Sequence, residues 1–139
     1  MSGSETLLYT ARVRTAGGRD GMSRSKDGRL DVQLSHPGGL GSGTNPEQLL
    51  AAGWSASFGG GLAEAAREME VTSRVEPVIE AEMDLNRRGD GTYCLRGRLS
   101  VHLPGPDREL ARLLVERAHQ ICPFTKAMRG NVEVAIALV

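Results

Sequence analysis

The chain has 139 residues, 17 Lys plus Arg against 17 Asp plus Glu, 18 glycines and two cysteines. This balance excludes the basic excess that a nucleic-acid surface needs, and nothing approaches the roughly 18 consecutive apolar residues of a membrane span. Two cysteines form at most one disulfide, too few for a stapled secreted scaffold. The segment from Met1 to Thr6 is small and polar, without the apolar run of a secretory signal. A single cytoplasmic domain over residues 1–139 is the expectation.

Leu8 to Thr15 alternates in part and predicts a strand, and Gly17-Gly18-Arg19-Asp20-Gly21 predicts a turn. Leu30, Val32 and Leu34 alternate with Asp31, Gln33 and Ser35, the pattern of a half-buried strand. His36 to Thr44 is rich in Gly, Pro and Ser and reads as a loop. A helix start follows, with Thr44 or Asn45 as N-cap, Pro46 in the first turn and Glu47 beside the positive helix end. From Leu49 to Glu70 the residues are mostly helix formers or small. The first half is apolar nearly all round, which predicts burial. Gly59-Gly60-Gly61 falls within this stretch. Each interior glycine costs about 1 kcal/mol against Ala. Either another helix approaches closely there or the helix breaks.

Val75 to Leu85 and Tyr93 to Leu103 predict two strands, joined through Asn86 to Gly91, where Asp90-Gly91 is a hairpin signal. Leu95, Gly97, Leu99, Val101 and Leu103 share one face of the second strand; Cys94, Arg96, Arg98, Ser100 and His102 share the other. Pro104-Gly105-Pro106 breaks the chain. Asp107 to Ile121 predicts a helix with Leu110, Leu113, Leu114 and Ala118 inward, and Pro123 limits its extension. Val132, Val134, Ile136 and Leu138 alternate in a last strand. The order of strands, helix, strands, helix, strand defines an α+β protein.

Two segments stand out chemically. One runs from Asn45-Pro46-Glu47-Gln48-Leu49 to Trp54-Ser55-Ala56-Ser57-Phe58; the other is Ala118-His119-Gln120-Ile121-Cys122-Pro123-Phe124. With Gly17-Gly18-Arg19-Asp20-Gly21, Leu103-Pro104-Gly105 and Arg129-Gly130-Asn131-Val132, they resemble the organic hydroperoxide resistance proteins of the OsmC/Ohr superfamily, in order and spacing, from about Tyr9 to Val139. The resemblance implies antiparallel sheets wrapped around long central helices in an intertwined homodimer, with active sites at the subunit interface. It implies thiol-dependent reduction of lipid or alkyl hydroperoxides to alcohols, with a lipoylated protein or dithiol as reductant.

Such chemistry has definite needs. A thiolate attacks the O–O bond, and burial raises a thiol's pKa. An Arg offsets that and bonds the peroxide oxygens, and a carboxylate holds the Arg. The attack leaves a sulfenic acid, which a second cysteine condenses to a disulfide. By resemblance, Arg19 matches the thiolate-stabilising arginine, Glu47 the glutamate that orients it and Cys122 the resolving cysteine. Ser57 matches the peroxidatic cysteine. Taken alone, Arg19 is a solvated turn residue, Glu47 is explained by the helix dipole and Cys122 is a buried structural thiol. Trp54 and Phe58 read as core or pocket wall. Cys94, on a polar strand face, reads as a spare thiol.

Serine gives almost no alkoxide without a general base, so Ser57 keeps the shape of cysteine and removes the peroxidase step. A deliberate substitution and a natural divergence both produce this; the glycines after Ser57 favour divergence. Two other readings compete: a binding module that keeps the apolar pocket for a lipid-like or lipoyl ligand, and a Ser57–His119–Glu47 hydrolase, ranked last because nothing supplies an oxyanion hole. His36 and His102 lack partners at metal-ligand spacing, so neither metal nor cofactor is expected.

Overall fold

The computed structural model describes residues 3–139; Met1 and Ser2, part of the polar N-terminal segment, lie outside the described residues. The chain divides into two compact units, one ending at Pro46 and one running from Glu47 to Val139. Among the described residues no helix is long and apolar enough to cross a membrane.

The first unit is an antiparallel ribbon of β1 (Val13–Ala16), β2 (Met22–Ser25) and β3 (Asp31–Gln33), in that order. The strand expected from Leu8 begins only at Val13. Before it, Lys26 N–H still reaches the Arg12 carbonyl at 2.9 Å, but β2 has ended at Ser25. The short strand β2 was not expected, because Met22-Ser23-Arg24-Ser25 offers one large apolar residue and no alternation to read. Its single buried residue is Ser23, whose hydroxyl lies 2.7 Å from that of Thr15 across the β1–β2 pair. Between these strands the expected turn closes around one 3-10 turn, Gly18–Asp20. Gly17 takes the left-handed region at φ 80°, and a Cβ on Gly21 would fall 1.7 Å from the Ala16 carbonyl oxygen, so both positions require glycine. The strand expected over Leu30 to Ser35 is trimmed to β3, and Leu34 forms an isolated bridge with Thr44.

The second unit holds the core. Helix α1 (Pro46–Glu68) starts at Pro46 as expected and runs unbroken through the three glycines. Close approach explains one of them: a Cβ on Gly61 would meet the Ala118 carbonyl oxygen at 3.4 Å, whereas Gly60 faces open space. The expectation of all-round burial for the first half of α1 is not met. Trp54 and Phe58 are buried, but Ala52, Ala56 and Gly60 form an exposed stripe at i, i+4, i+8. Apolar composition gave no direction, because Ala and Gly are read as apolar yet stabilise little when buried.

Strands β4 (Val78–Arg87) and β5 (Tyr93–His102) form the expected hairpin, with Arg88 N–H bonded to the Thr92 carbonyl at 2.7 Å. Gly97, Leu99, Val101 and Leu103 are buried on one face, while Arg98 on the other bonds Asp84 and Glu82. Helix α2 (Arg108–Ile121) is capped by Asp107, whose side chain accepts from Leu110 N–H at 2.9 Å. Its inward residues are Ala111, Leu114 and Ala118. Leu113, expected inward, is exposed, because it lies about 100° round the helix from Leu114. A short helix α3 (Pro123–Met128) follows without a gap: Pro123 ends α2 and serves as the first residue of the next helix. The last strand, β6 (Glu133–Leu138), alternates as expected but pairs parallel to β5, the one parallel ladder among the described residues, whose other strand pairs are antiparallel. The fully buried Trp54, Phe58, Leu62, Leu99, Val101 and Leu114 join β5 to the helices, each contributing about 1.5–3 kcal/mol by burial.

Candidate active site

The second unit brings Ser57 and Cys122 together. Ser57 lies mid-way along α1, on the turn after Trp54; Cys122 sits between α2 and α3, as the last residue before Pro123. Their Sγ and Oγ atoms are 3.5 Å apart, with the thiol donating to the hydroxyl. Cys122 is fully buried; Ser57 is half-buried. The two cysteines are free.

Local chain geometry explains the approach. The packing of Gly61 against Ala118 brings the backbones of α1 and α2 close one turn beyond Ser57 and one turn before Cys122. On the other side, Gly53 faces the Phe124 ring, which a Cβ would meet at 3.1 Å. A third glycine sets the floor: a Cβ on Gly97 would lie 2.8 Å from Trp54 Cζ3. Its absence admits the indole, and the indole Nε1–H then donates to Thr125 Oγ1 at 3.0 Å in a fully buried contact.

Thr125 is a site residue that the sequence reading missed. It follows Cys122 by three residues, as Ser57 follows Trp54, so each helix presents an i, i+3 pair to the other. That paired spacing was the available signal. Burial pushes the Cys122 thiol pKa up. The hydroxyls of Thr125 and Ser57 and the N–H groups of Thr125 and Phe124 pull it down, and the balance lies below the ordinary value. The N–H groups are the unpaired donors that begin a helix.

Glu47 is half-buried in the first turn of α1. Arg19 belongs to the first unit and is exposed in the 3-10 turn. Its neighbour Asp20 accepts from His36 N–H at 3.2 Å and lies 2.7 Å from His36 Nδ1, which ties the arginine-bearing turn to the start of the loop after β3. The His36 side chain lowers the Asp20 pKa most, then the His36 N–H. His119 lines a groove of about 350 Å³ between α2 and β6, with Val115, Ile136 and Leu138, rather than facing Ser57. The triad reading loses its base there. Cys94 lies on the outer face of β5 opposite Asn86, away from the face that packs on Trp54. Among the described residues no three His, Cys, Asp or Glu gather as a metal site.

A buried thiol thus faces a hydroxyl across two packed helices. The chain belongs to the OsmC-like protein family, whose model matches residues 39–137. It is 42% identical over 135 residues to the organic hydroperoxide resistance protein OhrB of Bacillus subtilis, covering 94% of this chain and 98% of that protein. The crystal structure of that OhrB superposes with a TM-score of 0.89, at 41% identity over 96% of this chain and 100% of the other. The organic hydroperoxide resistance protein of Xanthomonas axonopodis pv. citri is 37% identical over 142 residues, 99% of each chain. A Vibrio cholerae O1 structure, described as an organic hydroperoxide resistance protein with captopril in one of its active sites, superposes with a TM-score of 0.90, at 34% identity over 98% of this chain and 95% of that one.

Proposed function

We propose that this chain is built for organic hydroperoxide chemistry and has lost its two-cysteine cycle at Ser57. In this reading Ser57 occupies the peroxidatic position, Cys122 the resolving position, Arg19 stabilises a thiolate at residue 57 and Glu47 orients Arg19. Substrates are lipid or alkyl hydroperoxides, and the reductant is a dithiol or lipoylated protein. Ser57 cannot ionise usefully beside an arginine, so the two-thiol route does not turn over. The protein acts as a cytoplasmic homodimer. The exposed stripe of Ala52, Ala56 and Gly60 on α1, and the exposed Leu7, Leu8, Tyr9 and Val13, are the surfaces a second copy would cover. A folded monomer in sedimentation at micromolar concentration would remove that part of the reading.

The observation that carries the proposal is the 3.5 Å separation of Ser57 Oγ and Cys122 Sγ. A rotamer-scale shift closes that gap to the roughly 2.05 Å of a disulfide. Ser57→Cys is therefore expected to create dithiol-dependent consumption of an alkyl hydroperoxide. Oxidant should then produce a 57–122 crosslink, read as a mass loss of about two protons, and Cys122→Ser in that background should stop it. A folded Ser57→Cys variant that neither consumes peroxide nor crosslinks would instead favour a binding module for a lipid-like or lipoyl ligand.

A further inference from the structure

We propose that Cys122 is itself the working thiol of this chain, reacting with organic hydroperoxides in a one-cysteine cycle in which Ser57 and Thr125 are positioning residues. The inference rests on the site reading above and goes beyond it, since there Cys122 only resolves.

Three geometric facts carry it. Cys122 has a hydroxyl neighbour on the facing helix: Ser57, at 3.5 Å, is half-buried where the sulfur is fully buried. Second, Trp54 Nε1–H donates to Thr125 Oγ1 at 3.0 Å and so occupies an acceptor lone pair of that hydroxyl. The O–H of Thr125 is left to donate, and the sulfur one turn back is its neighbour. Third, the indole is itself fixed, because it is fully buried and fills the space that Gly97 leaves. Trp54 thus orients Thr125 to offer a hydrogen to the sulfur, while Ser57 Oγ accepts from the thiol and can turn to donate once that proton has left. Two hydroxyls aimed at one sulfur favour its charged form. With residue 57 a serine, no second thiol competes for the peroxide at this place.

The step balances as follows. The Cys122 thiolate attacks the distal oxygen of ROOH, an S–O bond forms, the O–O bond breaks and two electrons pass from sulfur to peroxide. The alkoxide takes a proton from solvent and leaves as ROH. The sulfenic acid condenses with an external thiol, releasing water and giving a mixed disulfide. A second external thiol displaces Cys122 and leaves as the external disulfide.

The test uses the full chain with Cys94→Ser, so that Cys122 is the only thiol. It is treated with one equivalent of cumene hydroperoxide in the presence of dimedone, and the labelled peptide is read by mass spectrometry. Stoichiometric dimedone label on Cys122 is the expected result. Thr125→Val should slow labelling roughly two- to tenfold, the effect of losing one neutral hydrogen bond, and Thr125→Ser should restore it. Ser57→Cys is run in parallel without dimedone, with a dithiol. If Ser57→Cys consumes peroxide while Cys122 in the serine chain stays unlabelled, the one-cysteine cycle is overturned and the site reading stands. If both are silent in folded protein, the site reading fails and takes this inference with it. If Cys122 is labelled at the same rate in Thr125→Val, the positioning role of Thr125 is overturned.

Discussion

In the first unit the buried residues are Ser23 and Leu34; in the second, Trp54, Phe58, Leu62, Leu99, Val101, Leu114 and Cys122 close a continuous core. The first unit is three short strands, of four, four and three residues, with β1 exposed along its length. A ribbon of that size with so little apolar burial contributes little stability of its own. The second unit combines two ten-residue strands with three helices. Arg19, given a role only in the proposed chemistry, lies in the ribbon, and Cys122 lies in the core. Stability and reactivity are therefore expected to separate: substitutions in the second unit should lower stability, and those at Arg19 should leave stability alone and lower reactivity.

The sharpest way to break that separation is Trp54→Ala. The indole is fully buried, fills the space over Gly97 and holds Thr125. Its loss should cost about 3–5 kcal/mol in denaturant unfolding. A loss below about 1 kcal/mol would mean that the core is not organised around it.

Gly97→Ala tests the same contact from the opposite side. The added Cβ would lie 2.8 Å from Trp54 Cζ3 and 3.1 Å from Met83 Cε. Met83 can move, but the indole is boxed in by the core, so destabilisation of about 1–3 kcal/mol is expected. An unchanged melting temperature would show that β5 shifts freely. Asp107→Ala, which removes the cap of α2, should cost about 1 kcal/mol and leave the Ser57–Cys122 separation intact.

The same contrast governs what could be read in the sequence. In the second unit, large apolar residues alternate along β5 and β6 and a Pro-Glu pair opens α1, so periodicity located most elements. The meeting of Ser57 and Cys122 was legible only through the family resemblance of the two segments that carry them. Leu113 was misplaced because a run of adjacent leucines does not say which one faces inward. Helix α3 was missed because Pro123 is both a stop and a start. In the first unit, β2 carries its pairing through backbone bonds and a Thr15–Ser23 hydroxyl contact, which leave no apolar pattern. The Trp54–Thr125 bond joins residues 71 apart in sequence, and nothing local announces it. The Asp20–His36 contact spans only 16 residues, yet a histidine in a glycine-rich loop gave no sign of an aspartate partner.

Arg19→Ala sharpens the comparison where stability is silent. Arg19 is exposed, so unfolding should shift by no more than about 0.5 kcal/mol. In the Ser57→Cys background the same change should cut peroxide consumption on the order of a hundredfold, the scale of removing one fixed charge-stabilising donor. Loss of stability together with activity would show that the ribbon depends on Arg19 structurally, and the separation would fall.

The smallest effect concerns how that arginine is held. Asp20 adjoins Arg19 in the 3-10 turn, and its carboxylate lies 2.7 Å from His36 Nδ1 and accepts from the His36 N–H. These contacts favour the charged form, the side chain most and the N–H next, so its pKa falls below the ordinary carboxylate value. The direction fixes the sign. A carboxylate with a depressed folded pKa contributes fully above its unfolded pKa, and the contribution is lost as pH falls through the folded value. The Asp20–His36 tie should accordingly persist at neutral pH and in mild acid, and open only after unpaired surface carboxylates have protonated. A carbon-detected titration of the Asp20 carboxyl should show a midpoint below those of unpaired aspartates. His36→Ala should move that midpoint up toward the ordinary range, while the backbone N–H keeps part of the shift. Because both groups are exposed, global stability should barely change. The rescued peroxidase should change more, through a looser Arg19 turn and a slower reaction at neutral pH. If His36→Ala left the Asp20 midpoint where it was, the histidine would not be holding the turn. The organisation of Arg19 would then have to come from Gly17 and Gly21 alone.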